Sequence, residues 1–125
     1  EGSETILVAE DDATVRKLIS SMLEEFGYTV IEVADGNEAI QKFMENKDRI
    51  QLVILDVIMP HKSSKTVYDE IVKVSPAMKA LFMSGYTLYM VKDKGVIEEE
   101  GTNFLSKPVS PSELLRKVRE VLDKA

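Results

Sequence analysis

Residues 6–12 read ILVAEDD, four apolar side chains running straight into three carboxylates. Residues 52–60 read LVILDVIMP, a second apolar run that also meets an acid, Asp56. Short, nearly continuous hydrophobic runs of this kind are expected of strands buried on both faces, as in a parallel sheet between two helical layers. Residues 6–9 and 52–55 are therefore read as central strands, and 29–33, 80–83 and 103–105 as three more.

Between these runs the apolar spacing changes to the helical period. Val15, Leu18, Ile19, Met22, Leu23 and Phe26 predict one apolar helix face, stopped at Gly27. Asp35 and Glu38 read as a capping box ahead of Ala39, Ile40, Phe43 and Met44. Val67, Ile71 and Val74 mark a third helix, ended by Ser75 and Pro76. Residues 87–100 predict a fourth, with Leu88, Val91, Val96 and Ile97 inward and Gly95 interrupting them. Ser110, Pro111 and Glu113 supply an N-cap, a first-turn proline and an N3 acid for the last helix, which turns Leu114, Val118, Val121 and Leu122 inward. Parallel strands need helical crossovers, so this alternation predicts an α/β, doubly wound, flavodoxin-like fold. Its five-stranded parallel sheet has the order 2-1-3-4-5 and helices on both faces.

Composition narrows the function. The 125 residues, 44% hydrophobic and 30% charged, suit one globular domain over 1–125, with about residues 1–4 as an N-terminal tail. A net charge of -6 and the lack of a basic run disfavour direct nucleic-acid binding. The absence of Cys excludes disulfides, thiolate metal sites and a catalytic thiol. No apolar run approaches the length of a membrane span, and the N-terminus has no signal-peptide character, so no membrane insertion and a cytoplasmic location are expected.

In open parallel sheets ligands bind outside the carboxyl ends of the strands. Beyond the first strand come Glu10 and Asp11, beyond the third Asp56, beyond the fourth Ser84 and beyond the fifth Lys107 and Pro108. With the order 2-1-3-4-5 these residues converge on one edge. Carboxylates gathered there repel until a proton or cation relieves them. An all-oxygen set suits Mg²⁺, with Mn²⁺ as the substitute. A metal, the Lys107 ammonium and the Ser84 hydroxyl around Asp56 would stabilise phosphoryl oxygens, and Asp56 is then the candidate nucleophile. Asp12 reads as the N-cap of the first helix rather than a ligand. His61 reads as a surface loop residue, and the run Glu98, Glu99, Glu100 as a solvated helix end.

These pieces, ILVAEDD, LVILDVIMP, LFMSGY and FLSKP in that order, resemble a response-regulator receiver domain of two-component signalling over essentially the whole chain. LFMSGYT and SKPVSPSELLRKVREVL resemble receivers attached to hybrid sensor histidine kinases. The resemblance implies that Asp56 accepts the phosphoryl group and that Asp11 binds the metal directly, with Glu10 acting through water. It also implies that the Ile58 backbone carbonyl completes the metal shell. Ser84 would be the switch hydroxyl on the phosphoryl group and Lys107 the lysine that pairs with it. Phe104 would be the aromatic switch, and the Lys107-Pro108 bond a cis-peptide candidate. Three residues depart from the family pattern. Glu10 stands for the commoner Asp, Ser64 stands in the loop where Gly is usual, and Phe104 lacks a tyrosine hydroxyl. The second bears on loop shape and partner choice, since a position needing φ > 0 favours Gly.

The implied function is a phosphoacceptor switch in a phosphorelay. Mg²⁺-dependent transfer from a partner phosphohistidine to Asp56 would change the surface of the last two strand–helix units. The expected partner is a histidine kinase or phosphotransfer domain, or a kinase covalently linked in a longer protein. The chain carries no DNA-binding output domain and is read as a single-domain regulator or a piece of a larger one. It is not an enzyme in the turnover sense, although it would assist its own phosphorylation and dephosphorylation. Apolar Ile58 and bulky Tyr86, flanking the path of an attacking water, imply slow hydrolysis. An aspartyl-phosphate phosphatase is the competing enzyme reading, but Val57 and Ile58 offer no general acid two residues after Asp56. A flavin- or nucleotide-binding module would want a phosphate loop after the first strand, where EDD repels phosphate. A receiver-like interaction module without phosphorylation finds its only support in Ser64.

Overall fold

A computed structural model of the chain describes residues 4–56, 64–84, 104–106 and 110–123. Strands β1 (Thr5–Ala9) and β3 (Ile50–Asp56) lie side by side, flanked by β2 (Thr29–Val33), β4 (Lys79–Ser84) and β5 (Phe104–Ser106). All pairings are parallel and the order is β2-β1-β3-β4-β5. The continuous apolar runs have a direct explanation in the two sides of this sheet. Leu7, Ala9, Val53 and Leu55 pack on one face with Ala39, Phe43, Val67 and Ile71. Ile6, Val8, Leu52 and Ile54 pack on the other with Ile19, Leu23, Leu114 and Val118. All eight strand residues are fully buried, so neither side of these strands admits a polar side chain.

Helices α2 (Gly36–Asn46) and α3 (Ser64–Val74) supply the first layer; α1 (Ala13–Glu25) and α4 (Pro111–Asp123) supply the second. The helix predicted over 87–100 lies outside the described residues. Three helix starts follow the sequence signals. Asp12 Oδ1 accepts from the Thr14 and Val15 N–H groups at 2.9 and 3.1 Å. Ser110 Oγ accepts from the Glu113 N–H at 3.2 Å. Asp35 Oδ1 accepts from the Glu38 N–H at 2.8 Å, while Glu38 Oε1 reaches back to the Ala34 N–H, one residue before the cap. The α1 terminus is a Schellman turn, with Tyr28 N–H bonded to the Leu23 carbonyl and Gly27 N–H to that of Glu24. Gly27 takes φ 98°, a left-handed value that costs other residues energy.

Several expectations need correcting. Leu18 is 54% exposed, and Phe26, Met44 and Val74 are also exposed rather than inward. The buried arc of α1 is Ile19, Ser20, Met22 and Leu23, narrower than its apolar stripe, so Leu18 falls outside it. Phe26 is the C-cap of α1 and Val74 the last residue of α3, where each helix is leaving the sheet. Ser64, expected in a loop, is instead the first residue of α3 and fully buried. Asp56 and Ser84 are the last residues of their strands rather than the first beyond them, since the ladder continues to Asp56 opposite Met83 and Ser84 opposite Ser106. The fifth strand, predicted over 103–105, is described over Phe104–Ser106 and so reaches one residue further than expected, while residue 103 lies outside the described residues.

At the amino end of the strands, the register between β1 and β3 shifts at Thr5 and Ile6, which face Ile50 and Leu52. Gln51 is the extra residue, and its Oε1 accepts from the Thr5 N–H at 2.9 Å. Arg119 on α4 clasps this edge, donating to both Glu4 carboxylate oxygens at 3.2 and 3.0 Å and to Tyr28 Oη at 3.2 Å. Among the described residues, no helix is long and apolar enough to cross a membrane.

Candidate metal centre

The opposite, carboxyl edge of the sheet carries the acids. Glu10 follows β1 directly and is fully buried. Its N–H donates to the Val33 carbonyl at 3.1 Å, extending the β1–β2 pairing by one residue. Its Oε2 accepts from the Asp12 N–H at 3.0 Å, which turns the carboxylate back over its own loop. Asp56 ends β3 and is only 4% exposed, whereas Asp11, between Glu10 and the helix cap, is exposed. One carboxylate oxygen from each of Glu10, Asp11 and Asp56 lies within 4.8 Å of the others.

Two adjacent strands thus deliver three acids to one point, and the central position of β1 and β3 buries two of them. Burial and mutual repulsion both penalise three charged carboxylates. A hard divalent cation removes both penalties, and oxygen-only donors at an edge open to solvent on the Asp11 side fit Mg²⁺ or Mn²⁺. Asp12 stays out of this set because its carboxylate is engaged by the first turn of α1.

Of the other residues singled out from the sequence, Ser84 ends β4, one position past the residue paired with Asp56. Phe104 opens β5 opposite Phe82. Ile58, Lys107 and Pro108 lie outside the described residues, as do His61 and Tyr86. One residue at the site was missed. Arg16 on α1 donates from Nη1 to the Glu10 carbonyl at 2.8 Å and from Nε to Glu32 Oε1 on β2 at 3.3 Å. The signal available in the sequence was a basic residue one helical turn after the Asp12 cap, too common a pattern to stand out.

The family model of the response regulator receiver domain matches residues 6–119. The chain belongs to the response regulator receiver family. Receiver domains are signalling switches of two-component systems rather than turnover enzymes, and they act with histidine kinases and phosphotransfer partners. This receiver is 35% identical over 123 residues to the sensor kinase CckA of Brucella abortus (strain 2308), covering 98% of this chain and 13% of that protein. It is 36% identical over 120 residues to the probable transcriptional regulator ycf27 of Porphyridium aerugineum, covering 95% of this chain and 48% of that one. The receiver thus spans less than half the length of either relative. Among solved structures it is similar to the receiver domain of the hybrid histidine kinase CckA, with a TM-score of 0.81 and 34% identity over 95% of this chain and 99% of that one. It is also similar to a receiver domain protein from Clostridium thermocellum, with a TM-score of 0.86 and 28% identity over 96% and 94% of the two chains.

Proposed function

We propose that this receiver is a Mg²⁺-dependent phosphoacceptor and that Asp56 is the residue phosphorylated. The observation that carries the reading is the convergence of the Glu10, Asp11 and Asp56 carboxylates at the ends of β1 and β3. A bound Mg²⁺, or Mn²⁺ in its place, would neutralise charge on the transferring phosphoryl oxygens. Asp11, the exposed acid, would hold the cation directly, buried Glu10 would act through water, and the Ile58 carbonyl would be a further oxygen donor. An Asp56 carboxylate oxygen attacks the phosphorus of a partner phosphohistidine. The P–O bond of an acyl phosphate forms as the P–N bond breaks, and the imidazole leaves and takes up a proton. The Ser84 hydroxyl and the Lys107 ammonium stabilise the phosphoryl group, and Phe104 follows Ser84 by repacking. The Lys107-Pro108 bond remains the cis-peptide candidate. Water returns the domain to its resting state, and the apolar Ile58 and bulky Tyr86 side chains in the sequence support slow return.

The phosphodonor is the phosphohistidine of a histidine kinase or phosphotransfer domain, separate or covalently linked, and the domain works in the cytoplasm. Similarity to the receiver of a hybrid kinase supports the linked arrangement. The test is incubation with acetyl phosphate and Mg²⁺ followed by intact-mass measurement. A single phosphoryl adduct that requires Mg²⁺ and fails to form in Asp11→Asn is expected. A folded protein that gains no adduct would overturn the proposal and favour an interaction module that does not use phosphorylation.

A further inference from the structure

The Glu10–Asp11 peptide is held from three directions. Its carbonyl oxygen, on Glu10, accepts from Arg16 Nη1 at 2.8 Å. Just upstream, the Glu10 N–H is fixed to the Val33 carbonyl of β2 at 3.1 Å. Just downstream, the Asp12 N–H is fixed to the Glu10 carboxylate at 3.0 Å. Arg16 is itself braced, because its Nε donates to Glu32 Oε1 at 3.3 Å and Glu32 sits on β2, opposite Val8 of β1. One planar guanidinium therefore spans α1, β2 and the turn that carries two of the three clustered acids. Arg16 retains only 16% of its side-chain exposure, so the bridge is shielded from water far better than an ordinary surface pair. Lys17 reaches the same Glu32 oxygen at 3.2 Å but is 70% exposed.

We infer that Arg16 is a positioning residue for the divalent cation: by fixing the plane of the Glu10–Asp11 peptide it sets where the Asp11 carboxylate stands relative to Asp56. The inference rests on the metal-dependent reading above. Without the Arg16 tether the peptide would be free to rotate between two anchored N–H groups, and Asp11, exposed and next to it, would lose its orientation. Two effects oppose each other when Arg16 is removed. Loss of a nearby positive charge favours cation binding, while loss of the tether disfavours it. Glu32 already offsets the guanidinium charge at 3.3 Å, so the tether dominates and metal affinity falls. The fork geometry matters as well, since an ammonium at position 16 is a point charge without the rigid fork that serves both acceptors.

Mn²⁺ titration followed by electron paramagnetic resonance measures affinity without any phosphodonor, and thermal unfolding in the absence of metal is measured in parallel. For Arg16→Ala the Mn²⁺ dissociation constant is expected to rise about tenfold or more, the range seen when outer partners of metal ligands are lost. Arg16→Lys should restore only part of this. Glu32→Gln, which leaves Arg16 in place and removes only the charge of its brace, should weaken binding in the same direction but less. The Mg²⁺ concentration that half-saturates phosphorylation of Arg16→Ala should rise in parallel with the Mn²⁺ dissociation constant. A folded Arg16→Ala that binds Mn²⁺ as tightly as the parent, or more tightly, would overturn the inference even if its melting temperature falls. Should Arg16→Ala fail to fold, unchanged Mn²⁺ affinity in Glu32→Gln would overturn it. Failure of the parent itself to bind Mn²⁺ would instead remove the metal-dependent reading together with this one.

Discussion

Glu10 at the end of β1 and Asp56 at the end of β3 hold carboxylate oxygens within 4.8 Å of each other while both residues are almost excluded from water. Two unit charges at that separation repel by about 3 kcal/mol at an effective dielectric of roughly 20. Removing one of these charges, or binding a cation between them, relieves that repulsion, and the relief can be measured.

Neutralising Asp56 should stabilise the metal-free domain. Asp56→Asn is nearly isosteric and removes one of the repelling charges, so unfolding in urea with a chelator present should require about 1–3 kcal/mol more than in the parent. An equal or lower stability would mean that the acids do not strain one another.

Divalent cation should act in the same direction on the parent. At a hundredfold excess over its dissociation constant, Mg²⁺ should add about 2.7 kcal/mol, visible as a rise in melting temperature. Asp11→Asn should remove most of that rise. An equal rise with a monovalent salt at matched ionic strength would point to screening instead.

The α1 terminus makes a separate prediction about the scaffold. Gly27→Ala places a Cβ in the left-handed conformation that the Schellman turn requires and should cost about 1–2 kcal/mol in chemical unfolding. A neutral result would show that the turn relaxes to another path.

At the amino edge, the Arg119 guanidinium hydrogen-bonded to Asp123 holds that carboxyl below its ordinary range. The folded-state value is thus below the unfolded value of about 3.9, so the stabilisation is present above that pH and is lost as pH falls through the depressed folded value. Asp123→Asn should be slightly less stable than the parent at neutral pH, with the gap closing in acid. A gap that persists unchanged in strong acid would assign it to packing. Both groups keep solvent contact, so the effect is small.

The sheet was legible because burial on both faces leaves an unmistakable mark: residues 6–9 and 52–55 have no polar position to interrupt them. The helix caps at Asp12, Asp35 and Ser110 were legible because capping is local chemistry. Helix faces were less so. Periodicity gives the angle of Leu18 and Val74 around their helices but not how far the sheet extends beneath them, and both are exposed. The three acids could be grouped once the strand order was assumed, since order and strand ends together fix their neighbourhood. Arg16 could not be found this way, because its two acceptors, on residues 10 and 32, meet it only after β1, α1 and β2 have packed.

The position of the phosphoryl group is decisive, and reductive trapping reads it directly. After phosphorylation with acetyl phosphate and Mg²⁺, borohydride reduces an aspartyl phosphate to homoserine, which peptide sequencing by mass spectrometry locates. Conversion confined to Asp56, and absent when Mg²⁺ is withheld, is the result predicted. Trapping at another acid, or a phosphoryl group that resists borohydride because it sits on a hydroxyl or an imidazole, would contradict the account.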